Sequence, residues 1–246
     1  MIKLVCNKIK GSGEFMKITV KNSSVLSGFI GLVLTSIILL TAYLAGEMFP
    51  FGEGTVSWCD MNQQAIPLLC DFKDILSGKS SLFLNTQNAG GMNFYGVFFF
   101  NLSSPFSFLA AFVDKSQIPY LMNILVVLKL GLCGFTAGFV FYRLFKENGV
   151  LISAFLGAGY ALCGYGMLFY QNIMWLDMMY LFPIVALGIF KLIKQNRPAV
   201  LLISLTLCVI FNFYISFMVY LALILFFGLY ALFFRNTDRK IYVNLG

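Results

Sequence analysis

Long apolar runs without charge are the feature that most restricts how this chain can fold. Five stretches of the 246-residue sequence are free of Asp, Glu, Lys and Arg, except that one contains Lys129 and another Asp177. They cover residues 22–46, 80–113, 116–142, 148–190 and 198–234. A helix that crosses a membrane needs about 20 apolar residues, so each run is long enough. Because 60% of the residues are hydrophobic and only 11% are charged, a soluble domain is excluded, and we predict an all-α, polytopic membrane helix bundle.

The runs predict about six membrane spans. We expect these spans near residues 24–46, 118–142, 150–169, 176–192, 198–211 and 214–234. The last two come from one run of 37 residues, which as a single helix would be about 55 Å long against a hydrocarbon core of about 30 Å. Asn212 is the predicted outer turn between them, and one long kinked helix is the alternative.

Basic residues indicate the orientation of the bundle, since lysine and arginine accumulate in short cytoplasmic loops. A cytoplasmic N-terminus places 13 of the 17 Lys and Arg residues inside and six of the ten acidic residues on the first outer loop. We therefore predict a basic cytoplasmic arm at 1–21 and a membrane domain at 22–246, with an outer loop at 47–117. The net charge of +7 follows from this orientation, and we expect no nucleic-acid partner.

The outer loop is too apolar for an ordinary solvated loop, so we expect it to lie on the membrane. From Gln64 to Leu76, apolar residues recur at helical spacing while Asp71 and Asp74 face the other way, which predicts an amphipathic interfacial helix. The segment from Tyr95 to Val113 is long enough to span but carries Asn, Ser and Pro residues in its middle. We predict that it lies in the interface or re-enters the membrane, bent at Pro105. An ordinary span here is the alternative, and it would reverse every later helix against the charge rule.

Several ionisable side chains in or near the membrane need a role. The chain has no histidine, which excludes imidazole bases, Ser-His-Asp triads and His-ligated zinc. Asp60, just after the first span, either caps the next helix or takes part in catalysis or binding. Lys129 lies deep in its span, where it either pairs with a carboxylate such as Asp177 or holds an anionic ligand such as a lipid phosphate. Cys59 and Cys70, on one loop, could form a disulfide, and two free thiols are the alternative.

The order of these features resembles the GT-C group of membrane glycosyltransferases. A basic N-terminus, one span, an outer aspartate and two interfacial helices precede the helix bundle. More narrowly, the chain resembles the bacterial YfhO family from about residue 17 onward. The motifs that carry this resemblance are Asp60-Met61-Asn62-Gln63-Gln64, Ser103-Ser104-Pro105-Phe106, Lys129 in its apolar setting, Asn172-Ile173-Met174-Trp175-Leu176-Asp177 and Asn212-Phe213-Tyr214-Ile215.

The resemblance implies transfer of a sugar from a polyprenyl-phosphate donor to a cell-envelope polymer outside a bacterial plasma membrane. Lipoteichoic acid is the acceptor associated with some family members. The resemblance gives Asp60 the position of the catalytic carboxylate and Gln64 that of a substrate-binding glutamine. It places further substrate-binding residues at Ser104, Lys129, Asn172, Trp175, Asp177, Asn212 and Tyr214. The expected partners are membrane lipid, the lipid-linked sugar and the polymer acceptor.

This chemistry requires few groups from the protein. A sugar on a lipid phosphate already has a good leaving group, so one carboxylate acting as general base suffices, with inversion at the anomeric carbon. An acidic residue could hold a divalent cation, but no DxD-like cluster indicates one. A transporter or lipid flippase with Lys129 and Asp177 as its intramembrane site is the alternative function, and a non-catalytic assembly protein is a third. YfhO members and other GT-C enzymes carry more spans, which predicts that residues 1–246 are an N-terminal portion, truncated at the C-terminus.

Overall fold

The computed structural model describes residues 2–86 and 90–233, with side chains from residue 22 onward. This part of the chain consists of helices and loops, with isolated β-bridges at Met48–Gly54 and Asn85–Met92. Its α-helices are α1 (Ile2–Ala45), α2 (Ile66–Leu76), α3 (Phe94–Val97), α4 (Ile118–Leu144), α5 (Gly149–Ala161), α6 (Gly164–Phe169), α7 (Trp175–Gln195), α8 (Ala199–Phe211) and α9 (Phe213–Phe233). The predicted all-α fold is confirmed. The basic residues after position 234 and the predicted truncation at the C-terminus lie outside the described residues.

Five helical segments of the described chain are long and apolar enough to cross a membrane. They are Asn22–Ala45 within α1, Lys115–Leu144, Lys146–Phe169, Trp175–Gln195 and Phe213–Phe233. Five of the six predicted spans match these segments to within a few residues. The sixth, at 198–211, corresponds to α8, whose 13 residues reach about 20 Å and cross only part of a hydrocarbon core of about 30 Å. Helix α1 begins at Ile2, so the predicted arm at 1–21 is continuous with the helix of the first span.

Glycine allows α1, α4 and α5 to approach one another closely. A Cβ added at Gly31 would lie 2.5 Å from the carbonyl oxygen of Gly134, and one added at Gly157 would lie 2.6 Å from the same oxygen. The helix backbones therefore touch directly at these positions, as is typical of helix packing in membranes. The hydroxyl of Ser27 donates to the carbonyl oxygen of Gly138 at 3.0 Å, which adds a hydrogen bond between α1 and α4.

Helix α4 also packs against α7, and α7 packs against α8. Helix α7 ends where Asn196 adopts a left-handed conformation with φ of 53°, and its N–H donates to the carbonyl oxygen of Leu192 at 3.0 Å. This is a common way to end a helix, and it turns the chain back along α7. Helix α9 is mostly exposed, with Ser216 as its buried residue, so its apolar surface is available to lipid.

In the loop at 47–117, the helix predicted to be interfacial runs from a π-helical turn at Met61–Ala65 into α2. Leu68, Leu69 and Phe72 are buried, and Gly78 follows the helix with φ of 74°, a conformation that glycine adopts without strain. The predicted apolar face is confirmed over these residues. Leu76, also predicted on that face, is the last residue of α2 and is 41% exposed.

The second part of the outer loop, Phe94–Phe112, is bent by 105°; we call it the bent segment. It consists of α3, a π-helical turn at Phe98–Leu102 and a 3-10 helix at Pro105–Phe112. The break falls immediately before Pro105, which has no N–H to continue a helix and restricts the residue that precedes it. The predicted bend at Pro105 is confirmed, and a straight span at this position is excluded.

Candidate functional site

A buried asparagine on α4 fixes the loop that leads to Asp60. Asn123 Oδ1 accepts a hydrogen bond from the N–H of Val56 at 3.0 Å. Its Nδ2 donates to the carbonyl oxygens of Phe49 and Gly54, at 3.0 and 3.3 Å. One side chain thus satisfies three backbone groups of the loop. These hydrogen bonds hold the beginning of the loop against the bundle.

Asp60 is exposed at the start of the π-helical turn. The residue before it, Cys59, has φ of 45°, in a region that residues other than glycine adopt uncommonly. Asp60 occupies the N-cap position, but its side chain makes no capping hydrogen bond. Among the described contacts, its Oδ1 lies 4.0 Å from the thiol of Cys59. The interpretation of Asp60 as a helix cap is therefore wrong, and its carboxylate is accessible to a ligand.

An open cavity of about 500 Å³ lies beside the turn that Asp60 begins. We call it the carboxamide cavity, because Gln63, Gln64 and Asn101 line it together with apolar residues of α2 and the bent segment. The rings of Phe100 and Phe213 also line it and meet edge to face, with their centroids 6.0 Å apart. Gln64, a predicted substrate-binding residue, therefore lies at a cavity and on the same helical turn as the predicted catalytic carboxylate.

Lys129 and Asp177 form a buried ion pair. The Lys129 Nζ lies 2.8 Å from Asp177 Oδ2, and the two side chains are 2% and 0% exposed. The same Nζ donates to the carbonyl oxygen of Ile173 at 3.0 Å and lies 5.8 Å from the centre of the Phe106 ring. The hydroxyl of Ser104 donates to Asp177 Oδ1 at 2.9 Å. Three predicted site residues thus meet in one cluster. Of the two alternatives for Lys129, a carboxylate partner or an anionic ligand, the structure shows pairing with the carboxylate of Asp177.

Asn212 is fully buried at the break between α8 and α9. Its Nδ2 donates to the carbonyl oxygen of Phe100, and its Oδ1 accepts from the N–H of Ile215, both at 2.9 Å. The second bond caps the first turn of α9. The ring of Tyr214, which is 43% exposed, lies 5.5 Å from the ring of Phe100. Asn212 and Tyr214 therefore contact the wall of the carboxamide cavity and not the Lys129 cluster.

The other two predicted site residues lie at the start of α7. Asn172 is 6% exposed, and its carbonyl oxygen accepts a hydrogen bond from the N–H of Trp175 at 2.8 Å. The ring of Trp175 lies 5.6 Å from that of Phe169 and 6.4 Å from that of Tyr165. Ile173, between them, supplies the carbonyl oxygen that Lys129 contacts. This motif therefore shapes one side of the buried cluster.

Asn101 connects the carboxamide cavity with the buried cluster. It lines the first cavity and also a small one of about 10 Å³, which Lys129, Ile173 and Ser107 line as well. Its Oδ1 is buried and has no hydrogen-bond partner within the described residues. The sequence did not single out Asn101 or Asn123 as site residues. The available sequence signal was an asparagine within an apolar run, and this signal does not distinguish a helix cap from a substrate-binding residue.

The described residues contain no group of three or more His, Cys, Asp or Glu side chains that could hold a metal ion. Cys59 and Cys70 are free thiols, so the alternative of two unpaired cysteines is confirmed. Burial raises the pKa of the Cys70 thiol, which keeps this side chain protonated at neutral pH.

Comparison with known proteins identifies a family. The family model described as bacterial membrane protein YfhO matches residues 31–245. The match therefore includes every predicted site residue, from Asp60 to Tyr214. No curated protein and no solved structure matches the chain.

Proposed function

Because the chain belongs to the YfhO family of bacterial membrane proteins, we propose that it takes part in sugar transfer at the outer face of the plasma membrane. The donor is a sugar on a polyprenyl phosphate, and the acceptor is a hydroxyl group of a cell-envelope polymer such as lipoteichoic acid. The protein is a multi-pass membrane protein. Its orientation, with the N-terminus in the cytoplasm and the outer loop outside, is part of the proposal and is supported by the distribution of lysine and arginine.

One observation carries the proposal. Asp60 presents an exposed carboxylate without a capping role, on the helical turn that contributes Gln63 and Gln64 to the carboxamide cavity. The left-handed conformation of Cys59 supports it further, since strained backbone is concentrated at functional sites. Gln64 is the predicted binding residue that this geometry supports most directly.

The proposed reaction needs one base. The Asp60 carboxylate accepts the proton of the acceptor hydroxyl as the oxygen of that hydroxyl forms a bond to the anomeric carbon of the sugar. The bond from this carbon to the lipid phosphate breaks, and the phosphate leaves with the electron pair. Attack from the side opposite the phosphate inverts the configuration. A phosphate is a good leaving group without protonation, so a second carboxyl group as general acid is not required.

A transporter or lipid flippase built on Lys129 and Asp177 is the second candidate. Such a function needs charges that can be offered to a substrate near the middle of the membrane. Both charges are instead satisfied within the protein. The adjacent cavity of about 10 Å³ has room for one water molecule. These observations favour the glycosyltransferase.

Substitution of Asp60 by Asn tests the proposal, because it keeps the size of the side chain and removes the base. The sugar content of the envelope polymer is measured in cells that carry the full-length protein or its Asp60→Asn variant. We expect the rate of transfer to fall about 10²- to 10⁴-fold, the usual contribution of a general base. Glu53→Gln is the matched control, since Glu53 is an exposed carboxylate on the same loop, and it should leave transfer unchanged. Transfer at the original rate by Asp60→Asn would overturn the proposal.

A further inference from the structure

We infer that the carboxamide cavity binds the saccharide part of a substrate as a neutral polyol, with Asn101 as a binding residue. This inference rests on the proposed function and gives its sugar a definite place. The cavity is open, and its volume of about 500 Å³ lies in the range of small-molecule sites. Asn101 lines this cavity and also the small cavity that Lys129 lines.

The lining of the cavity matches the chemistry of a sugar. None of the described residues that line it is charged. Each of its three carboxamides offers an acceptor oxygen and two donor hydrogens, which suits hydroxyl groups that both donate and accept. The rings of Phe100 and Phe213 provide an apolar surface for the C–H face of a pyranose. A site that is mostly apolar and has a few convergent polar groups is typical of small-molecule binding.

The unpaired amide of Asn101 distinguishes a hydroxyl from a phosphate. Asn101 is 8% exposed, and its Oδ1 lacks a hydrogen-bond donor in the described part of the chain. A buried acceptor without a partner is unfavourable, so a ligand that supplies a donor gains more here than at the surface. A sugar hydroxyl supplies a donor to this oxygen, whereas a fully ionised phosphate offers acceptors alone.

Binding is measured with the full chain in lipid nanodiscs, because sugar-based detergents would compete for the cavity. The probes are the methyl glycosides of glucose, galactose and N-acetylglucosamine, observed by saturation-transfer difference NMR, with inorganic phosphate as competitor and empty nanodiscs as blank. We expect saturation transfer to at least one glycoside, without displacement by phosphate. Asn101→Leu, which keeps the approximate volume and removes both polar atoms, should weaken binding about ten-fold, as expected for one lost hydrogen bond to a buried group.

Ser153→Ala is the matched control, since Ser153 Oγ is also buried without a partner but lies on α5. It should leave glycoside binding unchanged. The unfolding temperature of Asn101→Leu should not fall, because the substitution removes an unsatisfied polar atom. If Asn101→Leu does not fold, Asn101→Ala, which also removes both polar atoms, must weaken glycoside binding instead.

Three results would overturn the inference: no saturation transfer to any glycoside, displacement by phosphate, or unchanged affinity in the folded Asn101 variant. The last would mean that the amide is satisfied by water or by the protein. Failure of the proposed function is distinguishable from these results. If Asp60→Asn transfers sugar normally while glycosides still bind through Asn101, the base is misassigned and the cavity stands.

Discussion

The buried ion pair between Lys129 and Asp177 provides a quantitative test of how the bundle is held together. In an Asp177→Leu variant, the Lys129 ammonium group stays buried, with the Ile173 carbonyl oxygen as its remaining hydrogen-bond acceptor among the described residues. A buried charge that loses its partner costs about 3–5 kcal/mol of unfolding free energy. For a chain of this length, each kcal/mol lowers Tm by about 2–4 °C, so we expect Tm to fall by about 6–20 °C.

Removal of both charges should cost less than removal of one. In Lys129→Met/Asp177→Leu, neither apolar side chain leaves an unpaired charge, and replacement of a buried ion pair by apolar residues is often neutral. About 1 kcal/mol of the loss should remain, because the hydroxyl of Ser104 loses its acceptor. The double variant is therefore expected to unfold within a few degrees of the unmodified protein.

Thermal unfolding can be followed with a fluorogenic dye that reacts with thiols. Cys133 and Cys208 are buried and free, so they react when the bundle opens, in a background in which the other four cysteines of the chain are replaced by Ser. Lys115→Met is the control, since the Lys115 side chain in the Lys115–Asp74 pair is 48% exposed, and exposed ion pairs contribute little to stability. The reasoning is refuted if Asp177→Leu lowers Tm no more than this control, or if the double variant unfolds below the single one.

Three further predictions concern helix packing, orientation and thiol reactivity. Gly157→Ala should lower Tm, at a cost of about 1–3 kcal/mol, because its Cβ would lie 2.6 Å from backbone atoms of α4. Gly159→Ala on the same helix is the control and should not lower Tm, since its Cβ would meet nothing within 4 Å. Equal Tm values for the two variants would contradict the close approach of the helices. In a variant whose other five cysteines are replaced by Ser, a membrane-impermeant maleimide should label Cys59 on intact cells, and labelling only after permeabilisation would reverse the proposed orientation. Cys70, whose thiol pKa is raised by burial, should react more slowly at neutral pH than an ordinary exposed thiol, and faster as the pH is raised.

The membrane helices could be predicted because bilayer thickness and charge leave few alternatives. The length of a run without charged residues decides whether it can span the membrane. Four of the predicted spans correspond to single long helices of the structure. The 150–169 span did not remain one regular helix, since α5 and α6 are separated at 162–163. The amphipathic pattern after Gln64 and the bend at Pro105 could be predicted for a similar reason, since each follows from local sequence.

The candidate site was less predictable because its geometry comes from contacts that are distant in sequence. Asn123 holds a loop more than 65 residues before it, and no local pattern indicates such a bond. No local sequence pattern predicts the left-handed conformation of Cys59 or the unpaired oxygen of Asn101. The pairing of Lys129 could be stated as an alternative, since a deep charge needs a partner, but the sequence did not decide between a carboxylate and a ligand.

Three hydrogen bonds show what several of the family motifs do in this fold. Ser103 donates to the Phe211 carbonyl oxygen and Ser104 donates to Asp177, while Asn212 donates to the Phe100 carbonyl oxygen, each at 2.9 Å. All three fasten the bent segment to α7, α8 or the break before α9. Asn101 and Phe100 lie on that segment and line the carboxamide cavity. On the proposed function, Ser103, Ser104 and Asn212 therefore act on substrate binding by positioning one wall of this cavity, without contact to the substrate.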